Sequence, residues 1–166
     1  MVKKLIAHPL SGLLSRIVLA FVLGYAGLVK LFEPNGARDA IIAYRLGIPN
    51  DIAMFLGYAV PALEIALAVF LLIGLFIRPA ALVSGLLMAM FIVMIAQVWA
   101  RGYSIDCGCF GGGGDLDPDG KNLRYAQEIL RDLLFAGMAV RLVIWPSTGF
   151  SLDRGNELPH YETEGK

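Results

Sequence analysis

Cys107 and Cys109 are the only cysteines of the chain, and a single glycine separates them. They stand in RGYSIDCGCFGGGGDLDPDGKN, a segment rich in glycine and aspartate. With Gly108 permitting an unusual backbone, two thiols at this spacing can approach the short Cα separation that a disulfide requires. Closing so small a ring removes little unfolded-chain entropy, so such a bond would staple nothing. Strained, accessible disulfides are the reducible ones, and the spacing therefore points to thiol–disulfide exchange. Two reduced, inert thiols in a turn are the plainer reading of the same residues. Metal binding lacks ligands, since zinc usually takes four and the only histidines, His8 and His160, lie in the terminal segments. Asp115, Asp117, Asp119 and Gly120 match the first half of a calcium loop, but position twelve is Ala126 where a bidentate Glu is required. That stretch reads as a solvated Pro-Asp-Gly turn, and no metal is expected.

The elements that must carry this loop follow from composition. The 166 residues are 57% hydrophobic and 17% charged, against about 25% charged in a soluble domain, and the mean hydropathy is +0.67. So few charges exclude an ordinary cytosolic globule. A net charge of zero argues against disorder and removes the electrostatic footprint of a nucleic-acid partner. The expected solvent is a lipid bilayer, whose core of about 30 Å takes about 20 residues of helix.

Four runs meet or approach that length. The clearest is 79–100, which holds no charged residue and ends near Trp99, an interfacial anchor. Residues 52–77 are interrupted by one ionisable group, Glu64, and by Pro61, which membrane helices tolerate. Residues 13–32 carry Arg16 and Lys30 near their ends, where long cationic side chains can snorkel. No A-x-A-like site follows this run, so it reads as a span and not as a cleaved signal peptide. The fourth, 125–145, contains Glu128, Arg131, Asp132 and Arg141. Arg124, Glu128 and Asp132 fall at i, i+4 and i+8, which predicts a helix that enters the bilayer with a charged stripe facing protein. The expected fold class is all-α, an integral membrane four-helix bundle over 1–146. Its loops are 33–51 and 101–124, and a polar, disordered tail covers 147–166.

Glu64 is the other polar oddity. An ionised acid at mid-span costs about 2.5–3.5 kcal/mol on insertion scales, so it must be neutral, paired or facing a cavity. Arg16, Lys30, Tyr25, Tyr58, Gln97 and Arg141 are all candidate partners. Orientation cannot be taken from cations, because with four spans the fourteen Lys and Arg residues divide seven and seven across the membrane. An oxidised Cys107–Cys109 pair would place its loop in an extracytosolic compartment, with both termini cytoplasmic in the plasma membrane.

Ser15-Arg16 opening the first helix, Gly27-Leu-Val-Lys30-Leu closing it, Pro61-x-x-Glu64, Cys107-Gly-Cys-Phe-Gly111 and Arg131-Asp132 together resemble the DoxX-like superfamily. The C-G-C-F-G loop looks most like the methylamine utilisation protein MauE branch. The resemblance implies a role in maturing periplasmic methylamine dehydrogenase, whose small subunit is rich in disulfides. It adds Arg16, Lys30 and Arg131 to Glu64 and the two cysteines as functional candidates. The architecture is also similar to quinone-coupled disulfide-forming proteins of the DsbB and vitamin K epoxide reductase type. Those use two cysteine pairs, whereas this chain has one. The single pair would then meet both a membrane quinone and a client, or exchange with a thioredoxin-like or client periplasmic protein. The expected function is that of a membrane thiol–disulfide oxidoreductase. The alternatives are a noncatalytic assembly or scaffold subunit of a redox complex, and a small-solute transporter, which the lone mid-span charge and the absence of a visible inverted repeat disfavour.

Overall fold

The computed structural model describes residues 9–110, 112–115, 117 and 119–146. Five helices are present among them: α1 (Pro9–Phe32), α2 (Pro34–Ala43), α3 (Asn50–Ile73), α4 (Ile77–Ala100) and α5 (Lys121–Ile144). Between α4 and α5, β1 (Ile105–Asp106) pairs antiparallel with β2 (Gly114–Asp115), in the register Ile105 to Asp115 and Asp106 to Gly114. The chain is thus mostly helical, with one minimal hairpin in the cysteine segment. The tail 147–166, expected to be disordered, lies outside the described residues.

Three of these helices, α1, α3 and α4, are long and apolar enough to cross a membrane. Their outward faces are apolar: Leu14, Phe21, Leu28 and Phe32 on α1 are all exposed, as expected of helices bathed in lipid and not of a soluble bundle. α5 is equally long, at 24 residues, but its charges keep it out of that group. Its charged stripe sinks inward along the helix: Arg124 is exposed, Glu128 half-buried and Asp132 buried.

The observed boundaries refine the expected ones. The run 52–77 is divided earlier, because Gly74 takes a left-handed conformation and its N–H returns to the carbonyls of Phe70 and Leu71, ending α3 at Ile73. α4 starts directly afterwards at Ile77. The expected loop 33–51 contains α2, which begins with Pro34, a residue preorganised for a first helical turn. Ala37 and Ala40 form its buried face.

α1 packs along α3 and α4 along α5, and these pairs make the main seams. The first seam is tight at Gly27, where a Cβ would lie 2.8 Å from both the Pro61 carbonyl oxygen and Ile65 Cγ1. Only glycine permits that approach. A central core of Leu19, Leu23, Leu67, Leu71, Met88 and Leu142 fills one part of the molecule. A second cluster joins Tyr44, Ile95, Val98, Ile105 and Tyr125 to the two cysteines. At the opposite end an Arg141 guanidinium nitrogen donates to Ser11 Oγ at 3.1 Å, so the start of α1 meets the end of α5.

Candidate functional site

The cysteine segment is short of apolar residues, so hydrogen bonds from neighbouring helices fix it. The Tyr44 hydroxyl, just past α2, donates to the Cys107 carbonyl at 3.1 Å. On the other side Tyr125, in the first turns of α5, accepts the Ile105 N–H at 2.8 Å. Its own hydroxyl hydrogen has the carbonyls of Ile105 at 3.1 Å and Tyr103 at 3.2 Å within reach. Burial pushes the Tyr44 phenol well above its usual range, with the adjacent Cys109 and Cys107 adding to the effect. It therefore stays a donor. Gly108 holds φ at +66°, and a Cβ there would lie 2.5 Å from Ala40 Cβ. The residue between the cysteines is thus glycine both for its conformation and for its contact with α2.

Inside this frame the sulfurs are unequal. The Asp106 carboxylate accepts the Gly108 N–H at 3.0 Å, turning the chain between the two cysteines. The Cys109 backbone N–H then donates to Cys107 Sγ at 3.3 Å, and the Glu128 carboxylate of α5 lies near enough to feel the Cys107 thiol. Hydrogen bonding with Cys107, and then burial, raises the Cys109 thiol well above the ordinary range; the negative Asp132 adds to this and the positive Lys30 opposes it. Both cysteines are free thiols. Both are also buried, at 9% and 5% exposure, so the accessibility expected of a loop dithiol is not the geometry found. The α2 contact and the two tyrosines cover them.

Beneath the cysteines lie two ion pairs. Lys30 Nζ, at the end of α1, donates to Glu64 Oε1 of α3 at 2.6 Å, and sits 5.0 Å from the centroid of the Phe91 ring. Arg131 pairs with Asp132 at 3.0 Å and lays its guanidinium 4.4 Å from the centre of the Phe110 ring, next to Cys109. A small gap is bordered jointly by Glu64, Cys109, Phe110, Arg131 and Asp132. Of the six partners open to Glu64, the structure selects Lys30.

Three of the residues expected to carry function, Lys30, Glu64 and Arg131, therefore share one end of the molecule with both cysteines, together with Asp132. Arg16 does not. It is buried in α1 fourteen positions before Lys30, about 21 Å away along the helix. Glu128, Tyr44 and Tyr125 complete the site, and sequence spacing had marked only Glu128, as part of a stripe. No group of acidic, histidine or cysteine side chains among the described residues is arranged to hold a metal ion.

A family model described as methylamine utilisation protein MauE matches residues 9–145. Neither the curated proteins nor the solved structures contain a match to the chain.

Proposed function

The chain belongs to the methylamine utilisation protein MauE family and is a membrane protein, and from that premise we propose that it performs thiol–disulfide exchange through Cys107 and Cys109 with an extracytosolic partner. One observation carries the reading. Cys107 Sγ accepts a backbone N–H from Cys109 at 3.3 Å, a donor that strengthens as the sulfur gains charge, and the Glu128 carboxylate nearby is the candidate acceptor of its proton. Cys109 has the opposite setting, its thiol held protonated. Cys107 is then the exchanging sulfur and Cys109 the resolving one.

The chemistry balances with a client dithiol. In the oxidised form, with Cys107 and Cys109 joined, a client thiolate attacks Cys107 Sγ; the S–S bond breaks and Cys109 leaves with its electron pair, taking up a proton. The second client thiolate attacks the client sulfur of the mixed disulfide, releasing Cys107. The client gains a disulfide, and the protein holds two thiols. Glu128 takes and returns the Cys107 proton. The kinship with the DoxX-like superfamily and the maturation of a disulfide-rich methylamine dehydrogenase subunit belong to this same proposal, with a thioredoxin-like protein as the other partner.

Orientation is part of it. α5 is taken as the fourth span, which makes the described domain a four-helix membrane bundle. Contact between Ser11 and Arg141 places the beginning of α1 and the end of α5 together, away from the cysteines. Both termini are then cytoplasmic and the cysteine segment extracytosolic.

The burial of both sulfurs favours a second reading, a noncatalytic assembly subunit in which the C-G-C turn is a packed structural element. Trapping separates the two. In cells carrying Cys109→Ser, exchange predicts a mixed disulfide between Cys107 and a partner, seen as a dithiothreitol-sensitive band shift. An assembly subunit yields no such adduct, and Ser at both positions leaves client disulfides intact.

A further inference from the structure

Beside Cys107 a cavity of ≈290 Å³ opens between α2, α3, α4 and the end of α1. Its walls are apolar, from Ile41 and Ala40 on α2 to Val60 on α3 and Met90 and Met94 on α4. Three residues with polar or reactive side chains line it: Cys107, Lys30 and Tyr44. The volume lies just under the usual range for ligand pockets, about 300–1,000 Å³, and suits one ring system with the start of a chain. Because α3 and α4 are membrane-spanning in length and composition, and Met90 is 45% exposed on the outer surface, an occupant would enter from lipid. Pro61, which lines the cavity one turn after Gly57, has no N–H for the Gly57 carbonyl, so this wall offers backbone acceptor capacity that a regular helix would consume.

From this geometry we infer that the cavity binds a lipid-soluble quinone, which accepts the electrons of the Cys107–Cys109 pair. The inference rests on the exchange reading above and names its terminal oxidant. Lys30 has three N–H donors, one of them given to Glu64 at 2.6 Å; the others are available to a carbonyl oxygen that becomes anionic as electrons arrive. Cys107 Sγ supplies the reducing end, with Glu128 as the first acceptor of its proton. The balance is closed: two S–H bonds break and one S–S bond forms, the thiols losing two electrons and two protons. The quinone gains both and leaves as quinol with two new O–H bonds. The single cysteine pair then serves client and quinone in turn.

The test uses the full chain in nanodiscs, reduced, with a short-tailed ubiquinone analogue whose ring is fully substituted so that no thiol adduct can form. Expected are one quinol formed for each pair of thiols lost, and a quinone-dependent rate at least tenfold lower in Met90→Trp and in Ile41→Trp. In both variants oxidation by diamide and re-reduction by dithiothreitol should match the wild type. If the filled variants react with the quinone as fast as the wild type, or if the pair cycles with a dithiol protein but never with the quinone, the cavity assignment falls and the exchange reading stands. If diamide and dithiothreitol cannot cycle the pair at all, the exchange reading falls first. Should the variants fold poorly, an azido-quinone on the wild type decides: labelling of α3, α4 or the cysteine segment supports the site, and labelling confined elsewhere overturns it.

Discussion

Lys30 Nζ and Glu64 Oε1 stand 2.6 Å apart with side-chain exposures of 6% and 1%, joining the end of α1 to the middle of α3 directly below the cysteine segment. Gly27 makes the pair geometrically available, since a Cβ there would lie 3.1 Å from Glu64 Cβ, and Lys30 stands one turn further along α1. Removing one member of a buried pair strands the other charge, which costs about 3–5 kcal/mol, whereas replacing both with apolar side chains is close to neutral. Lys30→Met or Glu64→Leu alone is therefore expected to destabilise strongly, and the double variant to recover most of the loss. Thermal unfolding in detergent checks this; strictly additive losses would show that the pair is not coupled.

The contact of Gly108 with α2 predicts a loop that cannot take a side chain. Gly108→Ala places a Cβ 2.5 Å from Ala40 Cβ and retains a backbone at φ +66°, a strain of about 1–3 kcal/mol for a non-glycine residue. The expected outcome is a loosened turn in which both cysteines are alkylated at least tenfold faster than in the wild type. Adding Ala40→Gly removes the clash but not the backbone strain, so protection should return only in part. Unchanged alkylation in Gly108→Ala would contradict the packing described.

Glu128 is expected to act through the Cys107 proton. A positioned acid–base group contributes about 10²–10⁴-fold, so Glu128→Gln should slow exchange near pH 7 by that order. The deficit should shrink as pH rises through about 8.5, where thiols ionise unaided. A merely structural Glu128 would give a loss that does not vary with pH, read from initial rates with a small disulfide between pH 6 and 10.

Cys109 gives a pH prediction with a fixed sign. Its thiol is raised by hydrogen bonding with Cys107 and by burial, so near pH 7 it is held protonated more firmly than a free thiol. Alkylation at Cys109 should lag behind Cys107 and increase only above the range of ordinary cysteine, about 8.5. Peptide mass spectrometry after timed iodoacetamide exposure resolves the two sites. Faster modification of Cys109 at neutral pH would reverse the assigned roles.

Much of this was legible in the chain before any coordinates, because apolar run length alone marks helices that span lipid. The cysteine pair and Glu64 stand out by the same reasoning, as rare chemistry against an apolar background. What sequence could not supply is adjacency. Lys30 and Glu64 are 34 positions apart, and Tyr44 and Cys107 are 63 apart; periodicity assigns faces to helices but not neighbours to faces. α2 was missed because ten residues are too few for a membrane signal. Pro34 followed by Ala37, Ala40, Ile41 and Tyr44 at helical spacing was the available clue. The burial of the sulfurs was hidden for the same reason, since glycines and aspartates around a C-G-C turn read as solvated until Tyr44 and Tyr125 are placed against it.

Exchange of either kind requires that Cys107 and Cys109 form a reversible redox couple. A thiol-redox titration of the pair in native membranes, read by differential alkylation across defined dithiothreitol ratios, tests it most directly. One two-electron transition is expected, both cysteines changing together, in the range of about −120 to −270 mV occupied by exchanging thioredoxin-like proteins. Two thiols that remain alkylatable at every potential, or a bond that forms only far below that range, would contradict it.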